Sequence, residues 1–542
     1  MKKLSFPSAF DPRKIWRNKK TFAIYCTLVL AIGLGVALRM YHFSDLARFN
    51  DDQVRDAAVI DDMVSGKSFP LLGPKAGGTK FNLGPAPYYL EYPFAAIFGG
   101  DPATHAYPVL LGSIASLLLF FLIIKKLLGP WPAIVLTALY GTSFYAVKYA
   151  KFAWNPNLIP FIILFFLFAL SKITPPMQER RLRWTMILAV TAAIGMQLHT
   201  LFLVAMPVMI FCVFAYRFFK HIPSSKHLLI IIGIILLFHV PVFISEFKTG
   251  GENFSQFVRG FQGKTNSGSS LGQNVLTDIS CNLQSTFYII TGKNPEDTCV
   301  FFNPEEIDST GWKIAVACSA IFWILGIILL IRKIRTLPEG ENKKIYSLIG
   351  LQVMITFLLG IPLAQELSVR LFIIVIYFPF VLIGLFYDFA AEKISKRVAI
   401  SVLIILGVAL SIMNVQKFIK TYVPRAHFQY TEDYGVLGGI TLGESRGMAA
   451  YIASHQAKEN GIIFMNRSEF DASIKYFLEK QGMQVVLSDT EEVPDSSEKF
   501  FLVAKTDSEK KIKKHLSNKV VSDSESFGKF SVFIIEKVLK SD

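Results

Sequence analysis

Long apolar stretches with very few charges recur through the first three quarters of this chain and stop near residue 417. Each is about the length that a helix needs to cross a bilayer, where every backbone polar group must be satisfied inside the segment. The pattern predicts eleven spans, at roughly 21–41, 105–124, 131–147, 156–173, 183–198, 201–217, 227–246, 312–331, 346–363, 370–388 and 396–416. Between 184 and 216 the apolar run is almost continuous, and the polar step Gln197-Leu198-His199-Thr200 is read as the turn that divides it into two spans. After Lys417 the pattern changes for good. Residues 418–542 are polar and mixed, with strand-like runs at Gly461–Met465, Gln484–Ser488, Phe500–Lys505 and Phe530–Glu536. Helical periodicity lies between them, at 444–459, 469–481 and 507–516, with capping-box signatures at Thr441…Glu444 and Thr506…Glu509. The expectation is an α-helical polytopic membrane domain over 21–417, followed by a small α/β domain over 418–542.

Charge orients that arrangement. The tail 1–20 carries Lys2, Lys3, Arg13, Lys14, Arg17, Lys19 and Lys20 against one acid, Asp11, and is read as cytoplasmic. Every second loop is then basic as well: Lys125–Lys126, Arg180–Arg181–Arg183, Arg217/Lys220/Lys226, Arg332–Lys333–Arg335 and Lys393/Lys396/Arg397. The alternate loops differ; 42–104 holds eight acids and five bases. The formal charge of +15 is therefore an inner-face excess, and nucleic-acid binding is not needed to explain it. The first span is too long for a signal-peptide core and has no small-residue cleavage site, so it should remain as an anchor. An odd number of spans places the C-terminal domain outside, beside the acidic loop, in a plasma (inner) membrane protein.

Two outer loops stand out. In 42–104, Asp51–Met63 and Pro85–Phe98 are amphipathic and suited to lie along the membrane surface, joined by turn chemistry at Gly73-Pro74 and Gly77-Gly78. In 248–310, the Gly/Ser/Asn-rich stretch Gly263–Gly272 reads as a mobile part, either a lid or a plain connector. The same loop holds Cys281 and Cys299, which an oxidising exterior would join, closing a loop with a chain-entropy value of roughly 3 kcal/mol. Cys26, Cys212 and Cys318 fall within spans and read as packing residues.

Three clusters carry candidate chemistry. The first is Arg48-Phe49-Asn50-Asp51-Asp52-Gln53-Val54-Arg55-Asp56. Charges at i,i+4 would give a solvated helix face worth a few tenths of a kcal/mol. Adjacent carboxylates at an interface also repel, which favours a general base, so Asp51 and Asp52 are the catalytic candidates. The second cluster is Tyr149-Ala150-Lys151-Phe152-Ala153-Trp154-Asn155-Pro156-Asn157, where Lys148 and Lys151 can hold a lipid phosphate as it leaves, unless they merely snorkel to the headgroups. The third is Glu366 and Arg370 in a tight outer turn, with His199 able to join the same cavity. A lone turn histidine is more often a hydrogen-bonded structural residue. The C-terminal domain shows neither a Gly-rich phosphate loop nor a Ser-His-Asp arrangement, and is assigned substrate binding or support.

Taken in order, these segments resemble the GT-C superfamily of polyprenyl-phosphate-sugar-dependent glycosyltransferases, near the protein O-mannosyltransferase and aminoarabinose-transferase branch. The matching elements are Phe49-Asn50-Asp51-Asp52, Gly84-Pro85-Ala86-Pro87-Tyr88-Tyr89-Leu90, Lys151…Trp154-Asn155-Pro156, Gln197-Leu198-His199, and Arg370 with Tyr377…Pro379. The resemblance implies that Asp51 matches the family's first-loop catalytic aspartate, with Asp52 where the branch often has glutamate. Lys151 stands where many relatives have arginine, and Asn155 where some have an acid. Tyr88, Tyr89 and Trp154 would join Lys148, Lys151, His199, Glu366 and Arg370 in binding substrate.

The expected function is inverting transfer of a sugar from a polyprenyl-phosphate donor to an acceptor hydroxyl on a protein, lipid or glycan. No cofactor is required, and two carboxylates are compatible with a divalent metal without demanding one. A transporter or lipid flippase is the rival from another class, and a ligase moving a preassembled lipid-linked glycan is the rival within it. The chain shows neither the internal repeats nor the midplane charges that transport favours.

Overall fold

The computed structural model describes residues 19–173, 181–219, 225–265, 268–293, 299, 310–429, 439–456, 462–468, 470–488, 499–506 and 519–537. Most of the basic tail and the 507–516 segment, with Glu509 of its capping box, lie outside them. All eleven predicted spans are helical: Lys19–Met40, Tyr107–Leu128, Pro130–Thr142, Ile159–Ile173, Arg181–Leu198, Thr200–Phe219, Ser225–Phe238 with Val240–Thr249, Thr310–Thr336, Glu341–Gly360, Val369–Val375 with Phe378–Lys393, and Lys396–Ala426. By length and apolarity six described helices can cross a membrane, or eight if each bent pair is one span. The two pairs bend by 57° and 58°, each just before a proline, Pro241 or Pro379, that opens the second helix. The long apolar run does divide at His199.

Large apolar side chains such as Leu30, Phe211 and Ile405 are exposed on the outside of the bundle, as hydrocarbon contact allows. Cys26 and Cys318 are exposed there too, which corrects their reading as packing residues; an apolar thiol is tolerated on a lipid-facing surface. The predicted loop 248–310 is largely helical where described, with Glu252–Thr265 and Leu271–Thr291. Cys281 and Cys299 form the expected disulfide, with Cα atoms 4.9 Å apart. Helices Asp51–Val64 and Ala86–Phe98 form as the amphipathic pattern predicts, and pack together through Ile60, Met63, Tyr88 and Ala95.

The last membrane helix runs ten residues further than its predicted span 396–416, from Lys396 to Ala426, so the C-terminal unit begins later than expected. That unit is a five-stranded sheet in the order β2-β1-β3-β5-β4, with β1 Ile462–Asn466, β2 Gln484–Ser488, β3 Lys499–Lys505, β4 Lys519–Phe527 and β5 Phe530–Lys537. Strands β2, β1 and β3 are parallel, while β5 is antiparallel to both β3 and β4. Helices Leu442–His455 and Asp471–Lys480 cover one face through Met448, Ile452, Ile474 and Leu478. The expected strands form; β4 was not expected, because Lys-Val-Val-Ser-Asp-Ser-Glu-Ser-Phe is a polar, charged edge strand with a bulge after Val521.

Two joints fix this unit to the membrane domain. Arg425, at the end of the last membrane helix, donates two parallel hydrogen bonds to Glu444 at 3.0 and 2.9 Å, and both side chains are buried. Glu444 is also the N3 residue of the predicted capping box, and accepts the Thr441 N–H at 2.8 Å. The second joint is backbone to backbone. Phe49 N–H donates to Ile440 O at 2.9 Å, and Leu442 N–H to Ala47 O at 2.8 Å.

Candidate active site

Asn50 begins the helix that carries the acid pair. Its side chain caps the helix with Gln53 in a capping box, and its Oδ1 also accepts the Ile440 N–H at 3.1 Å. Gly439, beside this contact, has a φ of +125°, and a Cβ there would lie 2.1 Å from Asn50 Oδ1, so a glycine is required. Asp51 and Asp52 then fall in the first turn, where carboxylates complement the positive end of the helix.

Asp52 opens on a cavity of about 440 Å³. Arg55 holds it, donating from Nη1 to Asp52 Oδ1 at 2.8 Å and from Nε to Asp56 Oδ1 at 2.9 Å. Opposite lie Glu366 and Arg370, and Trp154, Asn155 and His199 complete the wall. A hairpin over 73–84 and the helix Glu252–Thr265 form the cover, contributing Lys75, Phe81, Phe257, Phe261 and Lys264. They interlock through two asparagines: Asn82 N–H donates to Asn253 Oδ1 at 2.8 Å, and Asn253 Nδ2 to Asn82 O at 3.1 Å. Lys264 Nζ donates to Gly77 O at 2.7 Å and to Glu366 Oε2 at 3.3 Å. At the base of the hairpin, Gly84 touches Gln197, whose Oε1 accepts the Ala86 N–H at 3.2 Å; a Cβ on Gly84 would meet that oxygen at 2.3 Å.

The structure brings together Asp52, Trp154, His199, Glu366 and Arg370 of the predicted site. Asp51 sits on the same turn but is not among the lining residues. His199 Nδ1 accepts the Leu201 N–H at 3.1 Å, so the neutral ring carries its hydrogen on Nε2. Burial, reinforced by Lys264, depresses this histidine to about 4.

Four predicted ligands are elsewhere. Lys151 is buried, and its Nζ donates to Arg39 O at 3.0 Å and Tyr41 O at 2.7 Å, capping the C-terminal end of the first membrane helix. It also lies over the Tyr422 ring at 5.2 Å. Desolvation, with Arg39 nearby, lowers it to about 7. Lys148 is buried beside it against Tyr149. These two line a narrow space of only about 10 Å³ with Arg425 and Tyr422, not the large cavity. In the structure the Lys151 donors are taken by the carbonyls that end the first membrane helix. Tyr88 donates to Asp56 Oδ1 at 2.8 Å in a buried cluster, and Tyr89 to Pro70 O at 3.2 Å; neither lines the cavity. Burial raises Asp56, and pushes Glu91 well above the carboxylate range with help from the Asp56 charge.

Sequence reasoning missed Arg55, Lys75, Lys264, Phe81 and the helix pair Phe257 and Phe261. A signal existed for the last: Phe254, Phe257, Val258 and Phe261 recur at i, i+3, i+4 and i+7, the helical spacing that the neighbouring glycines obscured. Among the described residues no three His, Cys, Asp or Glu side chains converge as a metal site would require.

Membrane helices, surface helices bearing the acid pair, a covered cavity and a C-terminal sheet domain define a multi-pass membrane protein with the GT-C fold. Residues 82–244 match the family model described as dolichyl-phosphate-mannose-protein mannosyltransferase. The fold is similar to that of ArnT from Cupriavidus metallidurans bound to undecaprenyl phosphate, with a TM-score of 0.53 and 10% identity over 95% of this chain and 98% of that one. The apo form of the same protein gives a TM-score of 0.50 at 12% identity, over the same shares of the two chains. No curated protein matches the chain by sequence.

Proposed function

We propose that the protein transfers a sugar from a polyprenyl-phosphate donor to an acceptor hydroxyl, with inversion, on the extracytoplasmic face. The observation that carries this reading is the large cavity in which the Asp52 carboxylate shares a wall with cationic side chains. The family match over 82–244 and the fold shared with a protein crystallised with undecaprenyl phosphate support the donor class.

The donor enters from the bilayer with its phosphate against Arg370 and Lys264, in place of the buried Lys148 and Lys151. Trp154, Phe257 and Phe261 offer apolar faces to the sugar, and His199 Nε2 donates a hydrogen bond. Asp52 takes the proton from the acceptor hydroxyl as its oxygen attacks the anomeric carbon. The bond from that carbon to the phosphate oxygen breaks, and the electron pair stays on the lipid phosphate, whose charge the cations stabilise. Arg55 fixes the Asp52 carboxylate in place.

The test compares Asp52→Asn with Asp51→Asn in purified protein given a polyprenyl-phosphate sugar and acceptor. A general base contributes about 10²- to 10⁴-fold, and that loss is expected for Asp52→Asn with thermal stability unchanged. Full transfer by Asp52→Asn removes the assignment, and selective loss in Asp51→Asn moves the base to its neighbour.

A further inference from the structure

The C-terminal domain has a crevice of its own. Strands β1 and β3 lie side by side and parallel, but their outgoing connections diverge, one to the helix Asp471–Lys480 and β2, the other toward β4 and β5. In open α/β sheets the gap at the carboxyl ends of such a strand pair is the usual ligand position. Here the gap is real, with a volume of about 210 Å³, roughly that of seven waters at about 30 Å³ each. It is held open by Asn466. Pairing of β1 with β3 is confined to Met465 opposite Phe501. Beyond it the Asn466 amide takes the place of a ladder, accepting the Val503 N–H at 2.7 Å and donating to Val503 O at 3.0 Å.

The lining is divided by chemistry. Ile440, Met448, Phe470 and Phe530 form an apolar floor, with the two phenylalanine rings edge to face at 5.1 Å. At the rim are Arg467, Ser468 and Lys505. The Ser468 Oγ is buried with no hydrogen-bond partner among the described residues, a state that is costly unless a ligand or solvent satisfies it. Two cations and a hydroxyl donor around an apolar floor suit one oxyanion on a compact organic frame.

We propose that this crevice is a second ligand site, for a small organic anion about the size of a monosaccharide, distinct from the membrane-facing cavity. The proposal does not depend on the glycosyl-transfer reading. The carboxylate or phosphate is held by Lys505, Arg467 and Ser468, and the frame rests on Phe470 and Phe530.

The experiment is equilibrium binding to the full-length protein in detergent, with glucose 1-phosphate, glucuronate and neutral glucose as probes. At least one anion is expected to bind while glucose does not, and which of the two binds tells phosphate from carboxylate. Lys505→Gln and Ser468→Ala each lie at the rim, outside the sheet core, and are expected to weaken binding about tenfold through loss of a charge-assisted or a buried hydrogen bond. In the Arg370→Ala protein, where anion binding in the other cavity is weakened, the binding that remains is expected to keep its sensitivity to Lys505→Gln and Ser468→Ala. The proposal is overturned if neither anion binds, if glucose binds as well as they do, if binding survives both rim substitutions, or if only Arg370→Ala abolishes it.

Discussion

Two groups of cations sit near the helix that bears the acid pair, in different surroundings. Arg55, Lys264 and Arg370 face an open cavity with a carboxylate on its wall. Lys148, Lys151 and Arg425 surround a space too small for any ligand. The side chains are of the same type. Both groups have partners within the protein: Lys151 caps the carbonyls at the end of the first membrane helix and Arg425 pairs with Glu444, while Arg55 pairs with Asp52 and Asp56 and Lys264 with Glu366. What separates them is the space beside them, about 440 Å³ in the first group against about 10 Å³ in the second.

Substitutions sharpen that contrast. The largest expected effect is the loss of transfer in Asp52→Asn, with no change in stability. Next, Glu444→Ala in the second group removes the carboxylate that Arg425 pairs with in the interior, and chemical denaturation should show a loss of about 3–5 kcal/mol. Lys151→Met should cost about 1–3 kcal/mol, because two buried carbonyls lose donors, while the KM for donor stays unchanged in whatever fraction folds. Lys264→Met should do the reverse, raising the donor KM about tenfold with thermal stability held, since one charge-assisted hydrogen bond to phosphate is removed. A Lys151→Met protein with a raised donor KM would break the distinction.

The smallest effect is expected from His199 near neutral pH. Its folded-state ring, at about 4 rather than the ordinary 6.5, binds a proton less readily than the unfolded chain does. The stability tied to its neutral burial is thus complete above about pH 6.5 and is lost progressively as pH falls toward 4. Replacing His199 with Gln should flatten that part of a stability-against-pH curve and leave the region above pH 7 as it was.

Much of the architecture was legible before any coordinates. Apolar length located a helix at each of the eleven places, of which six, or eight if each bent pair is one span, are long and apolar enough to cross a membrane. The turn at Gln197–Thr200 divided the long run, because a polar step is the cheapest place to break a helix near the interface. The Thr441…Glu444 capping box was legible for its local geometry but not for its second use, since nothing near Glu444 in sequence announces that Arg425 pairs with it. The site was half legible. Asp52, Trp154, Glu366 and Arg370 lie in short segments whose chemistry does not depend on distant partners. The place of Lys151 was not legible, because its contacts are to Arg39 and Tyr41, over a hundred residues away. Lys264 was missed because the glycines that follow it disguised the end of an amphipathic helix. Strand β4 was hidden by the charges that protect a sheet edge.

The contact between Phe49–Asn50 and Ile440 has a further consequence. One asparagine side chain both starts the helix that bears Asp52 and receives a hydrogen bond from the domain that follows the last membrane helix. The two parts, almost four hundred residues apart in the chain, share a hinge pin. Cutting away the C-terminal portion would not trim an appendage; it would slacken the seat of the acid itself. Chimeras that exchange this portion between proteins should therefore carry residues 47–50 along with it.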